Sequence, residues 1–265
     1  MNKEKFNMVE KIIISPQIVI YKKIFKYNED LMDIVKNSTE NFTEWSDWYI
    51  QGGKKTLQHF FSKKFVGNEK EINCLNELIS VFEYVKKDYL KEYGNSNYIW
   101  PKDVDWNEVL EKKQSLIIDV YRYDFLKIKE IYADAKDKLM MTYHVDELSP
   151  NSNIKYERNL VTVNLYPNDD YLNGECCIYD PINDKIHEYK TEAGDMLVFP
   201  AGEPFFHAAN LFEKADRYFV RNFIHYISGN IEKKEENLKI LEEQRNQYSE
   251  ERMKKMGYEI ALKRK

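Results

Sequence analysis

The feature that most constrains this chain is a change of period near residue 124. Upstream of it, apolar residues recur at helical spacing. Downstream, short apolar or alternating runs are separated by Asn, Asp, Gly and Pro. The strand-like runs are 139–144, 160–166, 175–179, 186–190, 195–199 and 217–227. The alternation of Leu126, Ile128, Glu130 and Tyr132 predicts one more ahead of them. A parallel sheet needs long crossovers between its strands, usually helices, and none fit between these runs. An antiparallel sandwich or barrel is the remaining architecture. A nucleotide-binding α/β fold is disfavoured on the same ground, and the nine glycines contain neither G-x-G-x-x-G nor G-x-x-x-x-G-K.

The first 125 residues read as mostly helical. Residues 17–25 predict a short strand, and Leu31, Ile34 and Val35 a short helix starting near Asn28. The clearest helix spans 69–93, with Ile72, Leu75, Leu78, Ile79, Phe82, Val85 and Tyr89 as its stripe. Asn68 precedes it and Gly94 follows. Another helix is expected after Asp105, through Val109, Leu110, Leu116, Ile117 and Val120. Residues 230–265 are rich in Glu, Lys and Arg, which predicts a charged C-terminal helix packed on the body. A helix that binds a partner or a second copy is the other reading. The expected organisation is therefore helical support over 1–125, a β core over 126–229 and the helix over 230–265.

Composition narrows the class. Twenty Tyr and 14 Phe in 265 residues argue for a packed core rather than disorder, and three Cys exclude a disulfide scaffold. No apolar run approaches the roughly 20 residues that cross a bilayer. The three isoleucines at 12–14 are too short for a signal-peptide core, so a reduced, cytoplasmic setting is expected. The net charge of −5 gives no strong nucleic-acid signal.

Of five histidines, His144 stands in His144-Val145-Asp146 at the end of a strand-like run. Positions two apart on a strand project to the same side, so one imidazole and one carboxylate can reach one point. These are two thirds of the facial set that holds non-haem Fe(II) with open positions. A third ligand must come from another strand, and His207 follows the run 195–200. Arg217, ten residues further on, opens the last strand. From there a guanidinium can grip the far carboxylate of a dicarboxylate by a bidentate pair.

Over about 95 residues, from Tyr132 to Tyr226, the order of these pieces resembles the catalytic core of the Fe(II)/2-oxoglutarate dioxygenases, in particular the prolyl 4-hydroxylase-like branch. The matching pieces are His144-Val-Asp146, Arg158 with Asn159-Leu-Val-Thr162, Tyr166-Pro167-Asn168 and Gly174-Glu175. Gly194-Asp-Met-Leu-Val-Phe-Pro200, His207 and Arg217-Tyr-Phe-Val complete the series. The resemblance implies an α+β chain, mainly β: a double-stranded β-helix, or jelly roll, backed by N-terminal helices. It implies that His144, Asp146 and His207 ligate Fe(II), and that Arg217 and Tyr166 bind the distal carboxylate of 2-oxoglutarate. Thr162 and Asn164, on the face of Tyr166, would line the pocket, with Tyr132 as a further pocket tyrosine. With O2, such a site hydroxylates a peptidyl residue such as proline, a free amino acid or a small metabolite, releasing succinate and CO2.

The chain departs from the family pattern in having Arg221 and Phe223 where a threonine and a tryptophan are usual. Period two puts Arg217, Phe219, Arg221 and Phe223 on one face. Arg221 then either clamps a substrate carboxylate or phosphate, or pairs with an acid at the barrel mouth. Retention of Asp146 argues against halogenation, which needs a small residue there. Cys176 and Cys177 read as small core residues, and Asn168-Asp169-Asp170 as turn chemistry. Trp45, Trp48 and Tyr49 read as core or as a groove wall. Residues 51–55 read as a loop able to cover the site. The alternatives to an enzyme are a non-catalytic jelly-roll protein that binds a metal or ligand, or an interaction protein acting through its charged tail.

Overall fold

A computed structural model of the 265-residue chain describes residues 6, 9–37, 53–56, 69–94, 109, 119–123, 125–131, 133, 139–146, 157–227 and 259–260. Tyr132, His59, the Trp45, Trp48 and Tyr49 cluster, most of the helix expected after Asp105 and nearly all of the tail fall outside these residues. In chain order the elements are β1 (Lys11–Ser15), β2 (Ile18–Tyr21), α1 (Asn28–Asn37), β3 (Gly53–Thr56), α2 (Glu69–Tyr93), β4 (Asp119–Tyr123) and α3 (Phe125–Ile131). They continue with β5 (Leu139–His144), β6 (Glu157–Tyr166), β7 (Leu172–Asn173), β8 (Cys176–Asp180), β9 (Lys185–Tyr189), β10 (Asp195–Pro200), β11 (His207–Asn210), β12 (Phe212–Glu213) and β13 (Arg217–Ile227).

A seven-stranded sheet runs β1-β2-β10-β6-β13-β4-β3, and a four-stranded sheet runs β5-β11-β8-β9. Every pairing is antiparallel. From β5 onward the chain passes back and forth between the two sheets: β5 small, β6 large, β8 and β9 small, β10 large, β11 small, β13 large. That alternation is the double-stranded β-helix, and it sets the inner faces of the two sheets against each other.

Period two decides what each face does. Val161, Val163 and Leu165 of β6, Met196 and Val198 of β10, and Tyr218, Val220 and Ile224 of β13 join one core with α1 and α2. The intervening residues Leu197, Phe199, Tyr166 and Phe219 turn inward to a second core between the sheets. On α2 the buried stripe is Cys74, Leu75, Leu78, Val81, Phe82, Val85, Tyr89, Leu90 and Tyr93. It is rotated from the expected one, so that Ile72 is 38% exposed. Gly194 holds the start of β10 at φ +90, where a Cβ would stand 2.4 Å from the Phe25 carbonyl oxygen. A third, small cluster covers the outer face of the four-stranded sheet, and Ile260 of the tail, 5% exposed, is buried in it with Tyr143, Cys177 and Phe206.

Four expectations change. Residues 125–131 form a helix, not a strand. Alternation over seven residues also creates an i, i+3 pair, and here Ile128 is buried with Phe125 partly so, while Leu126 is 72% exposed. Asp216 accepts the Phe125 N–H at 3.0 Å and secures the helix start. Residues 17–25 are half of a hairpin: β1 uses the isoleucines at 12–14, and Gln17 turns the chain at φ 76. Residues 53–56 are the edge strand of the large sheet rather than a free loop, paired with β4. Val120 belongs to β4, not to a helix, because β13 offers it a partner in Val220.

Candidate metal centre and anion pocket

His144 is the last residue of β5 and His207 the first of β11. The two are direct register partners, which brings the imidazoles side by side at the mouth of the small sheet. Their ring centroids are 4.2 Å apart. Asp146 continues past the end of β5, pinned by its own N–H to the Ala201 carbonyl at 2.8 Å. Its Oδ2 lies 3.3 Å from His207 Nε2 and its Oδ1 3.8 Å from His144 Nε2. One donor atom from each of the three residues falls within 4.8 Å of the others. Two imidazoles and one carboxylate converging from one side fit a divalent transition ion with open positions opposite. Asp146 is the most enclosed, with 8% of its side chain exposed against 12% for His207 and 31% for His144, so access is past His144.

The large sheet supplies the supports. Thr162 donates to Asp146 Oδ2 at 3.0 Å, Asn159 donates to the Asp146 backbone carbonyl at 2.7 Å, and Arg221 Nη1 reaches Asp146 Oδ1 at 3.4 Å. Arg221 also donates to the Tyr121 hydroxyl and lies over the rings of Tyr121 and Phe223, 4.9 and 4.8 Å from their centroids. Burial alone would push the Asp146 carboxyl up. The neighbouring His207 and Arg221, and then His144, outweigh it and hold the group well below the usual carboxylate range. A metal ligand must be ionised, so the surroundings favour the binding form. Of the two readings of Arg221, the structure places it against an acid, and that acid is Asp146.

Deeper between the sheets lies a second polar group. Arg217 is 2% exposed. Its Nη2 donates to Cys176 Sγ at 3.4 Å, its guanidinium lies over the rings of Tyr166 and Tyr171 at 5.6 and 5.7 Å, and its Nε has no hydrogen-bond partner. No carboxylate pairs with it among the described residues. A buried cation without a counter-ion carries a large desolvation cost, which an arriving anion offsets. Tyr166 shares a hydrogen bond with Cys176 Sγ at 2.8 Å, and burial pushes its hydroxyl well above the ordinary value, so it stays a proton donor at neutral pH. Asn164 faces the same interior, 8% exposed, with its Oδ1 unpartnered.

The structure thus brings together His144, Asp146, His207, Thr162 and Arg221 at one end, and Arg217 and Tyr166 further in. Arg217 and Arg221 are four residues apart on one face of β13, about 13 Å along the strand. Tyr132 lies outside the described residues. Three participants were missed from sequence. Tyr121 sat in a segment read as helix. Cys176 read as plain core, although its inward parity with Ile178 was a usable signal. Asn159 was part of a matched motif, but nothing local tells that its amide reaches Asp146. Cys177 and the Asn168-Asp169-Asp170 turn are structural, as expected: Asn168 ties the turn to β13 through the Asp216 carbonyl and the Tyr218 N–H.

No family model matches the chain, and no curated protein matches its sequence. Among solved structures it is similar to a prolyl-4-hydroxylase of Pseudomonas putida, at 10% identity and a TM-score of 0.49, over 81% of this chain and 95% of that one. It is also similar to the viral collagen prolyl hydroxylase of Paramecium Bursaria Chlorella virus-1, at 12% identity and 0.46, over 80% and 97%. A third is the prolyl hydroxylase of Trichoplax adhaerens solved with a hypoxia inducible factor peptide, at 15% identity and 0.48, over 79% and 83%. Among the described residues no helix is long and apolar enough to cross a membrane.

Proposed function

We propose that this chain is an Fe(II)- and 2-oxoglutarate-dependent dioxygenase of the prolyl 4-hydroxylase-like branch. Its substrate would be an aliphatic C–H bond of an amino-acid unit, in a peptide or free. The observation that carries the reading is the pairing, inside one β-helix, of a convergent His144, Asp146 and His207 set with a buried guanidinium, Arg217, that has no carboxylate partner among the described residues. His144, Asp146 and His207 would hold the iron. When bound, iron with 2-oxoglutarate and O2 supplies the oxidising chemistry: succinate and CO2 leave, and the second oxygen atom enters the substrate C–H bond.

The chain's own residues do the rest. Arg217 and the Tyr166 hydroxyl would receive the distal carboxylate and so fix which end of the cosubstrate faces the metal. Thr162, Asn159 and Arg221 hold Asp146 in one orientation, as outer partners of metal ligands do. Leu197, Phe199 and Phe219 wall the interior and exclude water around the reacting groups. Asn164 and, on the resemblance alone, Tyr132 would line the same pocket.

Anaerobic titration of the protein with Fe(II) and 2-oxoglutarate should develop a weak charge-transfer band in the visible. Absence of the band in the wild type, or its full retention in His144→Ala, would overturn the reading. With the band in hand, succinate release screened over free amino acids and proline-containing peptides identifies the substrate.

A further inference from the structure

Behind the anion pocket stands a second cation that the proposed reaction does not yet use. Lys190 directly follows β9, and its Nζ donates to the backbone carbonyls of Tyr171 at 2.9 Å and Asn173 at 2.6 Å. The same Nζ lies 3.4 Å from the centroid of the Tyr171 ring, and the Arg217 guanidinium lies 5.7 Å from that centroid. Tyr171 is 2% exposed, and its hydroxyl shares a hydrogen bond of 3.2 Å with Thr191, which is 1% exposed. The ring is therefore fixed and buried, with both cations close to it. No carboxylate forms an ion pair with either cation among the described residues. The charged and titratable groups near Lys190 are Arg217, Glu175, Asp169 and Cys176, beside the Tyr171 ring.

We infer that Lys190 is the second cation of the dicarboxylate pocket, a positioning residue that acts through Tyr171 and raises the preference for a 2-oxo acid with a distal carboxylate. This rests on the reading of Arg217 as the carboxylate partner. Two like charges against one ring repel, and a ligand carboxylate paired with Arg217 reduces that repulsion while also gaining longer-range attraction from Lys190. Tyr171 is held by the ammonium against its ring and by the Thr191 hydroxyl at its tip, so it presents a rigid surface to Arg217.

The arrangement also makes the pocket pH-sensitive. Burial, and then the nearby Arg217, bring the Lys190 ammonium down to about 8. Above that pH the second cation is lost while Arg217 keeps its charge, so 2-oxoglutarate should bind more weakly as pH rises from 7 to 9.

The test is the dissociation constant of 2-oxoglutarate for the Fe(II)-loaded protein at pH 7 and pH 9, measured anaerobically, beside that of 2-oxopentanoate, which lacks the distal carboxylate. The wild type should lose fivefold or more in 2-oxoglutarate affinity between the two pH values. Lys190→Arg should keep the pH 7 affinity at both, and Lys190→Gln should show the weak affinity at both. Binding of 2-oxopentanoate should follow none of these changes. If Lys190→Gln matches the wild type at both pH values, or weakens both ligands equally, Lys190 has no such role. If 2-oxoglutarate fails to bind the wild type at all, the cosubstrate assignment itself falls, and the role of Lys190 with it.

Discussion

The two faces of the large sheet are made by the same strands yet carry different work. The outer face of β6, β10 and β13 is mainly apolar and packs in one core with α1 and α2. The inner face, from residues one position away, bears Thr162, Asn164, Tyr166, Arg217 and Arg221, and among the described residues the Asn164 Oδ1 and the Arg217 Nε have no hydrogen-bond partner. Stability and chemistry are thereby separated by parity along a strand, and each can be perturbed with the other as control.

The largest expected effect is on the outer face. Leu165, 0% exposed, packs in the helix-side core, and Leu165→Ala should cost about 2–5 kcal/mol in urea unfolding, with the iron affinity of the folded protein unchanged. A lost iron site at intact stability would break the separation. On the inner face Arg217→Met should act with opposite signs. Thermal unfolding of the ligand-free protein should move upward, because a buried unpaired charge is removed, while the 2-oxoglutarate requirement rises tenfold or more, about 1.4 kcal/mol. A fall in both would mean that Arg217 is a structural partner instead.

Thr162→Val is nearly isosteric and takes one donor from Asp146. Iron affinity should fall by about tenfold, with little change in unfolding free energy. The smallest effect probes whether buried polarity by itself marks function. Asp180, 0% exposed, accepts the N–H groups of Ile182 and Asn183 and the Asn183 amide, all within the turn after β8. Burial would raise its carboxyl, but these hydrogen bonds, with others from outside the turn that include His187 of β9 at 3.3 Å, prevail and hold it below the ordinary value of 3.8. A depressed carboxyl stabilises the fold above about pH 4, and that stability is lost as pH falls through the lower folded value. Asp180→Asn should therefore destabilise mainly above about pH 4, with the gap to wild type closing on acidification and iron binding untouched.

Much of this was legible locally. Leu139–His144 and Arg217–Ile227 match their predicted bounds, as does the helix Glu69–Tyr93. The inward parity of Arg217, Phe219, Arg221 and Phe223 followed from period two alone, as did that of Thr162, Asn164 and Tyr166. Where local signals tie, the reading failed. The segment 125–131 carries both periods, and its helix is chosen by burial of Ile128 and by Asp216, a residue 91 positions away from Phe125.

Which residues share a face, and how far apart the candidate ligands stand along the chain, can be read from residue order. Both follow from a strand's fixed geometry. Only the tertiary structure decided what those faces meet. The register that sets His207 opposite His144, the reach of Thr162 to Asp146 from the other sheet, and the meeting of Lys190 and Arg217 at the Tyr171 ring all join distant segments. Such pairings depend on how two sheets close over a common core, an outcome of packing summed over the whole chain rather than of any short stretch of it.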